Sequence, residues 1–576
     1  MNKSAVLHIP MSQDAFGTDE EHVTIRLRTG RDDCKSCVLY YGDRACRLTP
    51  VIFTEAVMNV VAQSELFDYY EVQLERTYKR LCYYFKLEDG AESVLYYGDE
   101  FHSGPVDDRS EYYQLPFHHR ADIVRPPEWA KDTIIYNIFP DSFATSKGYI
   151  SKCGVEKEFE GKKVRGKLGG TIRGIMENVE YLEELGVNAV YINPIFAAGE
   201  YHKYDLLDYF HIDPCFGTNE EFKNMVNLFH AHGIRVIIDG VFNHCGWQFH
   251  AFEDVVEKGE KSEYKDWFYR LEYPVVRPED PETYPDYECF GYERMMPKLN
   301  TQNPEVEEYF CKVCRYWLEE FDIDGWRLDV ASEVNDHFWR KFAETAKSVK
   351  KDAILIGEVW ETASHWLDGT IFDSTMNYDF RKHCRRFFGD ASIDAAEFDG
   401  RITNMRMRYR SQTVYAQLNL LDSHDVSRFL SLCGGDRERY QLAVLFQMTF
   451  PGMPSVFYGD EQGIEGILEE EYRHPMIWNQ EDDLFAFFKK AISLRKNEKI
   501  LRQGTYRTIL AEKENRLYVY ERELDGEKIR IFLNMDEKEQ NISGLCDGTE
   551  ILWQKGKSGD RLMPKGFLVE RVTEKI

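Results

Sequence analysis

Residues 321–333 read FDIDGWRLDVASE, and their pattern decides how the rest of the chain is read. After Asp324 and Gly325 a short apolar run alternates faces, so Arg327 and Asp329 point one way while Trp326 and Leu328 point the other. A guanidinium and a carboxylate then share one face at a strand end. An arginine so placed favours the charged form of the aspartate, the form that attacks carbon as a nucleophile. An isolated Arg-x-Asp pair is usually a surface ion pair, so the meaning of this one depends on its surroundings.

Outward from this strand, segments of two periods alternate. TIIYNIFPD (133–141) is followed by a helical pattern near 172–185, NAVYINPIF (188–196) by one over 219–232, and RVIIDGVFNH (235–244) by one over 304–321. GWRLD leads to a helical pattern around 337–350, then come AILIGEVW (353–360), STMNYD (374–379) and LNLLDSHD (418–425). A helix over 437–450, PSVFYGDE (454–461) and a last helix near 484–495 complete the series. Eight strand candidates, each followed by a helix or helix-like segment, predict a (β/α)8 TIM barrel. A doubly wound sheet accounts for the same alternation less simply. The barrel is expected over 125–244 and 301–498. Residues 245–300 break the alternation with an aromatic, Pro- and Asp-rich stretch, which reads as a domain inserted after strand 3. Short alternating runs separated by Gly and Asp turns make 1–124 an N-terminal β-sandwich and 499–576 a C-terminal β-sandwich.

Bulk properties bound the partners. The 576 residues carry 72 Lys and Arg against 100 Asp and Glu, a formal charge of -28, which argues against nucleic acid or an anionic membrane and for a neutral substrate. The start, MNKSAVLHIPMSQD, has no basic region followed by a long apolar run, and no window holds 18 uninterrupted apolar residues. A cytoplasmic protein is expected. The 13 cysteines include one C-x-x-C (Cys34, Cys37) and a pair inside a helical pattern (Cys311, Cys314), with no second motif to complete a zinc site. They read as reduced structural thiols.

Chemistry in a barrel gathers at the C-terminal ends of its strands. Four strand ends carry an acid: Asp239, Asp329, Glu358 and Asp425. One such acid often caps the next helix, but four converging on one pocket would repel, and the one in the least polar spot would keep its proton. Glu358, flanked by Val359 and Trp360, suits that role. One charged and one protonated carboxyl are what retaining glycosidic cleavage needs.

DGVFNH, GWRLDVASE, GEVW and LLDSHD, in this order, resemble the signature regions of the α-amylase family, glycoside hydrolase family 13. MPKLN (296–300) is similar to a fifth region found in its neopullulanase, cyclomaltodextrinase and maltogenic amylase branch. The resemblance implies that Asp329 is the nucleophile, Glu358 the general acid/base and Asp425 the stabiliser of the oxocarbenium-like state. It implies that Arg327 orients Asp329 and Asp239, that His244 and His424 bond sugar hydroxyls, and that Tyr204 stacks on the ring. Glu333 would shape the acceptor side, and Trp360 joins the substrate-binding candidates. Asn243 and Asp239 have a structural reading as props of the strand ends. Ser332, Glu361 and Asp422 depart from residues common in the branch.

The implied substrates are maltooligosaccharides, cyclodextrins and pullulan-type α-glucans, cleaved at α-1,4 and also α-1,6 bonds, with transglycosylation as a side activity. A dedicated 4-α-glucanotransferase and a non-catalytic glucan-binding barrel are the alternatives. The N-terminal domain resembles a starch-binding module that mediates homodimerisation in the branch. Members often carry a calcium loop after the first barrel strand, but FATSKGYISKCGVEKEFEGKKVRGKLGG (143–170) is lysine-rich and lacks paired carboxylates. No calcium site, no other metal and no cofactor are expected there.

Overall fold

The computed structural model describes residues 1–146, 154–546, 548 and 550–572. It divides into two compact units, one of Pro126–Arg381 and Ala416–Arg502, the other of Met1–Arg125, Lys382–Tyr415 and Gln503–Ile576.

The first unit is the barrel. Its parallel strands are β1 (Ile135–Ile138), β2 (Ala189–Ile192), β3 (Arg235–Gly240), β4 (Gly325–Leu328), β5 (Ile354–Gly357), β6 (Ser374–Thr375), β7 (Leu418–Leu420) and β8 (Met453–Phe457). They neighbour one another in the order β6-β5-β4-β3-β2-β1-β8-β7. A parallel bridge between Met376 and Leu418 joins the two ends, which removes the open edges of the sheet. The strands are buried on both faces and therefore read as short apolar runs. Ile135, Ala189, Tyr191, Ile237, Ile354, Ile356, Leu418 and Met453 fill the interior.

Helices Asn219–Ala231, Pro304–Phe321, Asp336–Val349, Arg437–Thr449 and Asp483–Asn497 follow β2, β3, β4, β7 and β8. Their starts are chemically marked. Thr218 forms a capping box with Glu221, and Asn303, Asn335, Asp436 and Asp482 each accept backbone N–H groups of the first turn. After β5 only a 3₁₀ turn, Ser364–Trp366, precedes β6.

The insertion leaves β3 and returns to it at one place. His244 bridges Lys298, and Cys245 N–H donates to Pro297 O at 3.1 Å. Phe249, Phe252, Trp267, Phe268 and Tyr287 pack its interior.

In the second unit, residues 15–115 form a four-stranded and a six-stranded antiparallel sheet over a core that includes Ile25, Leu27, Leu39, Tyr83 and Phe85. Residues 505–572 form a six-stranded sheet with Val519, Phe532, Leu562 and Leu568 in its core. The described cysteines are free thiols. Among the described residues no helix is long and apolar enough to cross a membrane.

Candidate active site

The register of the sheet builds the site. Asp239 on β3 lies opposite Arg327 on β4, and Leu328 lies opposite Gly357, so the residues after β4 and β5 emerge at one level. Gly325 permits that packing, because a Cβ there would meet Ile354 O at 2.2 Å.

Arg327 is fully buried and joins the acids. Its Nη1 donates to Asp329 Oδ1 at 2.8 Å and to Asp239 Oδ1 at 3.1 Å. Its Nη2 lies 3.0 Å from Glu358 Oε1 and 3.9 Å from Asp425 Oδ2, charge contacts out of line for hydrogen bonds. One guanidinium thus serves four carboxyls from four strand ends.

Asp239 is also held by the Tyr204 and Tyr191 hydroxyls. Just past Asp329 the chain turns sharply. Val330 adopts φ 47°, a left-handed conformation unusual for a β-branched residue, and donates its N–H to Glu358 Oε2 at 2.7 Å. Glu358 Oε1 accepts the indole N–H of Trp360 at 3.0 Å. The expectation of an apolar niche for Glu358 is therefore corrected: two N–H donors and a guanidinium surround it.

The charge imbalance acts on the protons. Burial, with the nearby Glu358 charge, pushes the Asp329 carboxyl well above the usual carboxylate range, more than Arg327 lowers it. Asp425 is pushed up to about 7, first by burial and then by Glu358. The expectation that Arg327 keeps Asp329 ionised is corrected accordingly. Asp239, Asp329 and Asp425 are each raised, first by burial, and one cation does not balance the cluster.

A cavity of about 640 Å³ opens above these groups, lined by Asp329, Glu358, Asp425, Tyr204, His244, Glu333 and Trp360. Seven of the nine residues singled out from sequence thus share one wall. Arg327 and His424 are fully buried and are not among the cavity-lining residues.

His424 contacts Asn193 at 2.9 Å, the Tyr204 hydroxyl and Asp425 Oδ2 at 3.0 Å, so its own partners surround it. Burial, Arg327 and Arg473 hold it neutral. His244 is held neutral too, at about 3, by burial and Lys298. Its Nε2 is buried without a hydrogen-bond partner among the described residues. A neutral imidazole nitrogen of that kind can bond a hydroxyl.

The Tyr204 ring lies parallel to His424 at 5.6 Å, and Trp360 stacks on Tyr378 at 3.9 Å. Residues 331–333 form a 3₁₀ turn that brings Glu333 to the cavity, where Lys298 of the insertion pairs with it at 3.1 Å.

His202, Phe290, Glu293, Met296, Glu469 and Arg473 also line the cavity, and sequence reading missed them. The first stands in YHKYD, two residues before Tyr204. Met296 opens the MPKLN segment, and Phe290, Glu293, Glu469 and Arg473 stand in stretches with no local signature.

The described part of the lysine-rich segment is a hairpin, Val155–Phe159 with Lys162–Gly166, while 147–153 lie outside the described residues. Asp141 accepts the backbone N–H groups of Lys167, Leu168 and Gly169. Lys157 and Lys162 donate to the carbonyls of Pro214 and Gln248. Oxygens already engaged by cationic and N–H donors do not fit a calcium ion.

Comparison with known proteins bears on this geometry. Residues 137–478 match the model of the α-amylase catalytic domain, and residues 1–119 match that of the α-amylase N-terminal Ig-like domain. The chain belongs to the α-amylase family. Its α-amylase-family domain arrangement extends through whole relatives. Neopullulanase 2 of Thermoactinomyces vulgaris is 40% identical over 546 residues, 93% of this chain and 92% of that one. Cyclomaltodextrinase of Geobacillus thermopakistaniensis is 39% identical over 548 residues, covering 94% and 92%. A solved cyclomaltodextrinase structure superposes with a TM-score of 0.91 at 36% identity over 100% of both chains. This α-amylase-family member is a glycosidase.

Proposed function

We propose that the chain is a retaining glycosidase that cleaves α-1,4 and also α-1,6 bonds of cyclomaltodextrins, pullulan and maltooligosaccharides, with transfer to sugar acceptors as a side activity. The observation that carries the mechanism is the Arg327 guanidinium, which holds Asp329 and Glu358 side by side under one cavity. A short separation, about 5–5.5 Å, is what a retaining pair uses. Relatives similar over most of the chain are named neopullulanase, cyclomaltodextrinase and maltogenic α-amylase, which supports the substrate class.

In this reading Glu358 gives its proton to the glycosidic oxygen while an Asp329 oxygen bonds to the anomeric carbon and the leaving sugar departs. Asp425 accommodates the positive charge that develops on the ring, while Arg327 orients Asp329 and Asp239. A water then loses a proton to Glu358 and attacks the same carbon, which breaks the Asp329 ester and restores the starting configuration. Tyr204, His244 and His424 shape the site around the ring being cleaved, His424 acting through Tyr204 and Asp425. Trp360 and Glu333 stand on the acceptor side. The chemistry uses no metal or cofactor.

The N-terminal domain is assigned to homodimerisation, and the protein to the cytoplasm. The similarity to the intracellular maltogenic amylase of Bacillus subtilis, 36% identical over 558 residues, supports that location. Product analysis on γ-cyclodextrin, pullulan and soluble starch tests the reading. Faster release of maltose and panose-type products from the first two than from starch is expected, and activity on none of the three would refute it.

A further inference from the structure

One glutamate on the wall of the cavity is held in place from outside it. Glu333 ends the 3₁₀ turn Ala331–Glu333 after β4 and lines the cavity, with its side chain 46% exposed. A glutamate on so short a turn has several staggered rotamers open to it, so a single position needs a partner. Lys298, in the segment by which the insertion returns to β3, supplies it.

Lys298 is anchored before its side chain is considered. It bridges His244, its N–H donates to Glu288 O at 2.9 Å, and the next residue, Leu299, donates to Asn243 O at 3.0 Å. The ammonium then joins two strand ends. It donates to Asn243 Oδ1 after β3, and to both Glu333 Oε2 at 3.1 Å and the Glu333 carbonyl at 3.3 Å after β4. An ammonium has three donors, and all three are engaged. Lys298 itself does not line the cavity, whereas Glu333 Oε1 accepts no hydrogen bond among the described residues. A lone exposed Lys–Glu pair fixes little. This one differs in its third contact, to Asn243, and in a lysine side chain only 18% exposed.

We propose that Lys298 sets how the glycosyl group on Asp329 is divided between a sugar acceptor and water, by holding Glu333 with one oxygen free for a hydroxyl of the incoming sugar. In transfer, an acceptor hydroxyl loses its proton to Glu358, its oxygen bonds to the anomeric carbon, and the Asp329 ester breaks. In hydrolysis water takes the same part. A sugar reacts only when its hydroxyl is brought into line, so a fixed acceptor group lowers the entropy it loses. Water is small and needs no such hold. Releasing Glu333 therefore slows transfer more than hydrolysis. Lys298 is a positioning residue, acting through Glu333.

The proposal rests on the acceptor-side place given to Glu333, so Lys298→Met, Glu333→Ala and the double variant are measured together. Each is given γ-cyclodextrin and a sub-saturating concentration of methyl α-glucoside. Chromatography counts methyl maltooligosides, the transfer products, and a reducing-end assay counts hydrolysis. Lys298→Met should lower the transfer-to-hydrolysis ratio by about three- to tenfold, the size expected for one weakened hydrogen bond to a sugar hydroxyl, with a matching rise in the apparent KM for the acceptor. A purely structural loss would slow both products together and leave the ratio where it was. Glu333→Ala should lower the ratio at least as far, and the double variant no further than Glu333→Ala.

A ratio that falls in Glu333→Ala but not in Lys298→Met would overturn the role of Lys298 and leave that of Glu333 standing. A ratio unmoved in Glu333→Ala would overturn the acceptor-side reading and the proposal with it. A further fall in the double variant would overturn the route through Glu333. Should Lys298→Met fail to fold, Lys298→Gln, which keeps a donor for Asn243 and loses the charge, is read in the same assay with the same outcomes.

Discussion

Replacing Arg327 by Met leaves Asp239, Asp329, Glu358 and Asp425 facing one cavity without the cation they share. Removing one partner of a buried ion pair costs about 3–5 kcal/mol. The acids can escape that cost by binding protons, at about 1.4 kcal/mol per pKa unit, so a rise of roughly 2–3 units in the set absorbs it. Asp329 is already raised by burial and by Glu358, and it is the group that must be ionised to attack. Its ionised fraction near neutral pH then falls by about 10²–10³, and kcat/KM with it. Initial rates on γ-cyclodextrin across a pH series measure this. The expected result is a loss of that order at neutral pH that narrows as pH rises, with the acid limb displaced upward. Arg327→Lys keeps the charge but not the planar fork, so it should recover part of the loss. A Met variant within about tenfold of wild type, with an unmoved acid limb, would refute the electrostatic role.

Glu358→Gln keeps an acceptor for one of its two N–H donors, Val330 or the Trp360 indole, and removes the transferable proton, so turnover should drop by about 10²–10⁴. Maltotriose binding by calorimetry should survive, and unchanged activity would reject the acid/base assignment. Asp425 has a folded pKa of about 7, above its unfolded value of about 3.9. Its contribution to stability is therefore present at low pH and is lost as pH rises through 7. Asp425→Asn should consequently raise Tm relative to wild type by more at alkaline than at acidic pH; equal shifts would contradict that sign. EDTA should leave Tm unchanged, because lysines and backbone N–H groups of the 154–170 region already engage the Asp141 carboxylate and the carbonyls of Pro214 and Gln248; a substantial fall would point to a structural metal.

The barrel was legible because its strands are buried on both faces and read as short apolar runs, four of them followed by an acid. Helix Pro304–Phe321 was readable to the residue, since Asn303 caps it, Pro304 occupies its first position and Asp322 ends it in a left-handed turn. The convergence of the acids followed from topology, which the alternation of periods reveals. What surrounds Glu358 was not legible. Its Val330 N–H donor depends on one left-handed residue, and no side-chain pattern announces a backbone direction. His424 was expected at the sugar but is enclosed by Asn193, Tyr204 and Asp425, a consequence of three loops meeting rather than of the SHD motif. Phe290, Glu293 and Met296 reach the cavity only through the folding of the insertion, which has little periodic signal. Arg473 is tied back to the site by Glu469 and the His424 carbonyl, contacts between residues far apart in the chain or within a short irregular helix.

The measurement closest to the centre of this account is covalent trapping. Glu358→Gln is incubated with an activated maltosyl fluoride, digested, and read by mass spectrometry. One maltosyl unit esterified within the peptide that contains Asp329 is the predicted result, because the leaving fluoride needs no acid and the trapped ester lacks its base. An adduct on any other peptide, or a β-configured first product from the wild-type enzyme, would contradict it.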